Sequence, residues 1–121
     1  MYQIKFYRNT RGREPFRDFL NRMREKEDKA SSGLYRRIVL YIELLSRKGL
    51  SVGMPVMRRI DGDIWELRPQ RYRIFFFGVN GDSFVLLHHY FKKTEKTPRS
   101  EIDRAHKEME RFMKEKQNDR E

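Results

Sequence analysis

The sequence predicts an α+β fold: a small antiparallel β-sheet packed by an N-terminal helical hairpin, with a C-terminal helix. Three observations carry this expectation. Two stretches of helical periodicity follow one another between Phe16 and Leu45. A run of short strands rich in aromatic and β-branched residues occupies the segment from Asp63 to Phe91. A last helical stripe opens beyond Thr97-Pro98. The predicted order is β-α-α-(β)-β-β-β-α, with no internal repeat and no second domain.

Residues 2–8 alternate as a strand, with Tyr2, Ile4 and Phe6 on one face. The turn residues of NTRGRE end it, and Pro15 suits a first helical position, where no N–H is needed. Phe16, Phe19, Leu20 and Met23 then fall on one face of a short amphipathic helix. REKEDKASSG reads as a connector. Leu34, Ile38, Tyr41, Ile42 and Leu45 mark a longer helix that Gly49 stops.

Gly53, Pro55 and Asp61-Gly62 make residues 50–62 a loop, with one short strand around Val56–Ile60. DIWELR (63–68) and YRIFFFGV (72–79) are strands joined through Pro69-Gln70-Arg71. Asn80-Gly81 predicts a hairpin turn, because this pair adopts positive φ at little cost. SFVLLHHYF (83–91) is the last strand. Thr97 is the expected N-cap of the final helix, with Pro98 at its first position and Ile102, Ala105, Met109 and Phe112 as its apolar stripe. One domain is expected over residues 1–113, and 114–121 read as a frayed polar tail.

The balance of 28 Lys and Arg against 18 Asp and Glu gives a formal charge of +10, which attracts polyanions. Nucleic acid is the first class of partner this suggests; an anionic membrane, an acidic protein and charge kept for solubility are the others. The chain has no cysteine, so thiol nucleophiles, disulfides and thiolate metal sites are excluded together. No stretch has signal-peptide or transmembrane character, and the expectation is a soluble, cytoplasmic protein without a membrane partner.

Metal chemistry has little to stand on. His88 and His89 are adjacent in a strand and point to opposite faces, and no carboxylates stand at ligand spacing beside them or His106. A nucleophile-elbow serine and a phosphate-cradling glycine loop are also missing from the sequence. No metal and no cofactor are expected.

Basic residues concentrate on the strand segment instead. Arg58 and Arg59 precede it, Arg68, Arg71 and Arg73 bracket its first turn, and Lys92 and Lys93 close it. Arginine binds phosphate as a planar fork and lysine as a compact charge. His88 and Tyr90 share a strand face with Lys92. The plainer reading of these cations is chance, or pairing with Glu66 and Asp63. Arg73 reads as an exposed strand residue. Phe75-Phe76-Phe77, Trp65 and Phe84 read as core.

Taken in order, Glu66-Leu67-Arg68, Tyr72-Arg73-Ile74-Phe75-Phe76, the run from Leu86 through Thr94 and Lys96-Thr97-Pro98 resemble the phage-derived HigB-like branch of the RelE/ParE toxin superfamily. The likeness spans essentially the whole chain, with residues 66–105 carrying most of it. It implies a RelE-like fold and the toxin of a type II toxin–antitoxin pair, which cleaves mRNA in the ribosomal A site through attack of the RNA 2′-hydroxyl. Under that resemblance Arg68 and Arg73 hold the phosphate, and Lys92 stabilises charge or donates a proton. Tyr90 stacks on a base, and Arg58, Arg59, Arg71 and Lys93 bind the nucleic acid around them. His88 is a candidate general base or a half-buried strand residue. The implied partner is an antitoxin, a helix-turn-helix protein encoded beside the gene, covering either the basic strands or the helical side. The same superfamily includes ParE-like gyrase poisons, and a non-catalytic nucleic-acid-binding phage accessory module also fits the charge.

Overall fold

The computed structural model describes residues 1–119. Its elements are β1 (Gln3–Phe6), α1 (Pro15–Glu25), α2 (Lys29–Lys48), β2 (Met57–Asp61), β3 (Ile64–Leu67), β4 (Tyr72–Val79), β5 (Ser83–Phe91) and α3 (Arg99–Asn118). A single 3-10 turn, Gly49–Val52, follows α2. The α+β class and the element order are as expected. The sheet is mixed rather than wholly antiparallel: its five strands lie in the order β1-β5-β4-β3-β2. β2 to β5 form the antiparallel meander, whereas β1 runs parallel to β5, with Phe6 opposite Leu86. Parallel partners need a long crossover, and the α1–α2 hairpin supplies it.

The helices cover both faces of the sheet. Phe16, Phe19, Ile38 and Leu45 of the hairpin pack on Met57, Leu67, Ile74, Phe76 and Leu86. On the opposite face Ala105 of α3 closes over Ile64, Phe75, Phe77, Val85, Leu87 and Tyr90. The three consecutive phenylalanines are therefore all core, Phe76 on the hairpin side and its neighbours on the α3 side. Phe84 is buried as well, and Trp65 is half-buried against the hairpin core.

Local chemistry explains the element ends. α2 begins at Lys29, inside the expected connector, because Asp28 caps it by accepting from the Ser31 N–H at 2.8 Å. It ends at Gly49, whose φ of 63° no side chain favours and whose N–H donates to the Leu45 carbonyl. A Cβ at Gly49 would come within 2.8 Å of the Tyr2 ring, so the helix end abuts β1 closely. Asn80 and Gly81 both take positive φ, 57° and 72°, as the hairpin signal predicted.

α3 differs from expectation at both ends. Pro98, not Thr97, holds the cap position, and no side chain caps the helix. Residues 114–118 are helical rather than frayed, supported by an Arg111–Glu115 ion pair of 2.7 Å one turn apart. Positions 120 and 121 of the expected tail lie outside the described residues. Among the described residues no helix is long and apolar enough to cross a membrane.

One irregularity sets the orientation of the site. The β4–β5 register passes from Phe76↔Leu86 to Ile74↔His89, so Leu87 and His88 together oppose Phe75. This β-bulge inserts one residue and reverses the alternation beyond it. Val85 and Leu87 face α3 before the bulge; His88 and Tyr90 face α3 after it.

Candidate nucleic-acid interface

Strand alternation brings Arg58, Glu66, Arg73 and Tyr90 to the α3 face. Arg58 stands opposite Glu66 across β2 and β3, and Arg73 opposite Tyr90 across β4 and β5. Arg68 follows β3 two residues after Glu66. The Glu66 carboxylate is fully buried, and its Oε2 lies 3.2 Å from Arg58, 3.3 Å from Arg68 Nε and 3.8 Å from Arg73 Nε. Only the Arg58 contact has hydrogen-bond geometry; Arg68 Nε and Arg73 Nε are near the carboxylate but poorly aligned with it. The sequence reading that these cations pair with Glu66 is thus realised in part.

Arg73 is not the exposed strand arginine that was expected. It is 7% exposed, and its guanidinium donates to the Gln70 and Tyr72 carbonyls at 2.9 and 2.8 Å. The Gln70 carbonyl comes from the tight turn after β3, where Gln70 has φ 55°, and the Tyr72 carbonyl from the start of β4. Burial lowers the Arg73 pKa against the opposing pull of Glu66, although arginine remains charged at any ordinary pH. Lys92 is half-exposed and belongs to no ion pair among the described residues. Burial, and then Arg73, hold its ammonium below the usual lysine range.

Buried polar atoms without a partner are few in folded proteins. Among the described residues they are Arg58 Nε, Glu66 Oε1, Arg68 Nε, Arg73 Nε and the Tyr90 hydroxyl. All belong to this one cluster, and four of the five are donors. The Tyr90 hydroxyl lies beside Thr97 without a well-formed hydrogen bond to it, and burial raises the phenol's pKa. Such a donor-rich cluster suits an anion that brings acceptors.

Two clefts flank the cluster. One, of about 330 Å³, is lined by Arg71, Arg73, Lys92, Lys93, Thr94 and Glu95. The other, of about 400 Å³, is lined by basic Arg58, Arg59 and Lys96, with Ile60, Glu95, Thr97 and Ile102. Arg71 also donates to the Lys92 carbonyl and lies 5.5 Å over the exposed Phe91 ring. Arg59 donates to the Gly62 carbonyl at 2.7 Å.

The two neighbouring histidines have separate surroundings. His88 is 3% exposed under α3 and lines neither cleft; its Nδ1 is 2.6 Å from Glu108 and its Nε2 3.1 Å from Glu101. His89 lies on the hairpin face, stacked on Phe19 with ring centres 3.9 Å apart. Burial, then neighbouring positive charge, pushes its pKa down to about 4. Tyr90 is also less free than base stacking requires: it is 8% exposed, with its ring stacked on Phe75. Among the described residues no group of three or more His, Asp or Glu side chains is placed to hold a metal ion.

The structure therefore gathers Arg58, Arg68, Arg73, Tyr90 and Lys92 around Glu66, sets Arg71, Lys93 and Arg59 in the clefts, and leaves His88 beneath α3. Sequence reasoning used Glu66, Lys96 and Thr97 as motif, counter-ion or cap residues without placing them in the site, and did not single out Glu95. A carboxylate at an inward position of a strand, with arginines two residues on and across the neighbouring strand, was the available signal for Glu66.

The sequence matches the family described as phage derived protein Gp49-like (DUF891) over residues 10–110. The chain belongs to the Gp49-like family. Gp49-like proteins are phage-derived, toxin-like modules associated with the RelE/HigB-type toxin superfamily, and such modules imply an antitoxin partner. The matched span of this Gp49-like chain includes β2 to β5 and the first half of α3, and so the whole cationic cluster. No curated protein matches the sequence.

Proposed function

We propose that this Gp49-like protein is a HigB-like toxin that binds mRNA on the ribosome, in the A site, and cleaves it by attack of the RNA's own 2′-hydroxyl. The observation that carries this reading is the single cluster of unsatisfied donors around Glu66, flanked by two basic clefts. In the reaction the 2′-hydroxyl gives its proton to water and attacks phosphorus, the bond to the 5′-oxygen breaks, that oxygen leaves with a proton, and a 2′,3′-cyclic phosphate remains. The intermediate phosphorane carries extra negative charge, which preorganised donors stabilise better than water does. Arg68, Arg73 and the Tyr90 hydroxyl supply those donors; Lys92, unpaired and held below the usual lysine range, stabilises charge or protonates the leaving oxygen. Arg58, Arg59, Arg71 and Lys93 guide the flanking backbone. His88, bracketed by Glu101 and Glu108, serves to hold α3 on the sheet.

The partner is a cognate antitoxin, a helix-turn-helix protein encoded next to the gene, and the setting is the cytoplasm. The test is purified protein added to translating ribosomes, with 5′-end mapping of the mRNA and chelation of transition metals in a parallel sample. Cuts leaving cyclic phosphate ends, unchanged by chelation, are expected. Gyrase inhibition without RNA cleavage would replace this reading, and RNA binding without either would reduce the protein to an accessory module.

A further inference from the structure

One carboxylate serves three guanidiniums here, and the Lys92 ammonium adds a fourth cation near Arg73. Like charges this close repel, and water offers each of them an alternative. Arg58 already has 42% of its side chain exposed, so little besides Glu66 keeps it turned inward. Glu66 is itself fully buried, and a ligand in either cleft meets the arginines before it meets the carboxylate.

We propose that Glu66 is a positioning residue: it holds Arg58, Arg68 and Arg73 in the arrangement that receives the phosphorane, without touching the RNA. This rests on the nuclease reading above. The consequence has a sign. Glu66 is the negative charge at the centre of the cluster, so neutralising it makes the groove more attractive to a polyanion while releasing the arginines from their geometry. RNA affinity then holds or rises as the cleavage rate falls. A phosphate-contacting residue gives weaker binding instead, and a residue that only supports the fold loses both together. Glu66 also raises the Lys92 pKa, so its neutralisation moves the alkaline limit of cleavage to lower pH.

The experiment compares full-length wild type with Glu66→Gln and Glu66→Asp, each verified as folded by circular dichroism. Two quantities are read: single-turnover cleavage on translating ribosomes, and affinity for a uniformly 2′-O-methylated RNA that cannot be cut. Glu66→Gln is expected to cleave about 10- to 100-fold more slowly, as displaced catalytic groups do, with affinity equal or greater. Glu66→Asp, which keeps the charge on a shorter stem, is expected to recover part of the rate. Wild-type cleavage by Glu66→Gln, or a loss of affinity matching its loss of rate, overturns the proposal. If Glu66→Gln does not fold, Glu66→Asp decides: slower cleavage at unchanged affinity supports the proposal, and a wild-type rate overturns it. If wild type itself cuts no RNA, the nuclease reading fails separately. Affinity then judges Glu66 alone: weaker binding by Glu66→Gln overturns its role, whereas equal or tighter binding with broadened arginine Nε–H resonances supports it.

Discussion

Arg73 and Tyr90 face each other across β4 and β5, and each carries a buried donor atom that no protein acceptor satisfies. Replacing Arg73 by Ala is expected to lower cleavage by about 10²- to 10³-fold, the range for losing one preorganised donor to a developing oxyanion. Because Arg73 is buried and bonded to the Gln70 and Tyr72 carbonyls, the same change is also expected to cost about 1–3 kcal/mol of stability. Chemical denaturation and ribosomal cleavage, measured on one preparation, separate the two effects. A folded Arg73→Ala protein that cuts at the wild-type rate removes Arg73 from the chemistry.

His89 links stability to pH. Its pKa in the folded protein, about 4, lies below the ordinary value near 6.5, so the unfolded chain binds the proton more readily. Stability from this group is complete above pH 6.5, declines as pH falls, and levels below about 4. The full loss is on the order of 2 kcal/mol, reduced for partial exposure of the ring. His89→Phe should flatten the difference in melting temperature between pH 7 and pH 4.5 relative to wild type. An unchanged pH slope contradicts the assignment.

His88→Leu addresses the other ring. With Glu101 and Glu108 left facing an apolar side chain, stability is expected to fall by about 1–3 kcal/mol. Cleavage by the folded fraction should stay within a few-fold of wild type, because His88 lines neither cleft. A hundredfold loss in a well-folded variant returns His88 to the reaction as a proton carrier.

The antitoxin is expected on the α1–α2 side. Leu40 of α2 is 44% exposed there, beside the exposed cations Arg36 and Arg37, whereas the clefts offer charge and little apolar area. Reversing Arg71 and Lys93 together to Glu should leave antitoxin affinity nearly unchanged at any salt concentration. Steep salt dependence, with loss of binding in that double variant, places an acidic segment over the clefts instead.

The fold was legible in the sequence wherever apolar spacing decided it. Phe16, Phe19, Ile38 and Leu45 announced the hairpin, and Asn80-Gly81 announced the last turn. The parallel pairing of β1 was hidden because it depends on a crossover rather than on any residue of Gln3–Phe6. The site was legible as a set of cations but not as an arrangement. Strand parity brought Tyr90 and Lys92 to the right face, yet it gave no sign that the Tyr90 ring is already stacked on Phe75 or that one glutamate collects three arginines. Those depend on contacts between strands, which no local pattern encodes.

The extra residue at Leu87-His88 acts on β5 much as a frameshift acts on a message. Every position after it is read out on the opposite side from the one its predecessors set. Forced into regular alternation with no residue removed, the strand would turn His89 and Phe91 toward the clefts and send Tyr90 and Lys92 under the helical hairpin. The composition would be unchanged, but an aromatic ring would stand where the ammonium had been. The strand therefore keeps its apolar half and its cationic half on the same α3-facing surface through a single inserted step. Whether that step is taken decides which chemistry the sheet presents more than most substitutions around it do.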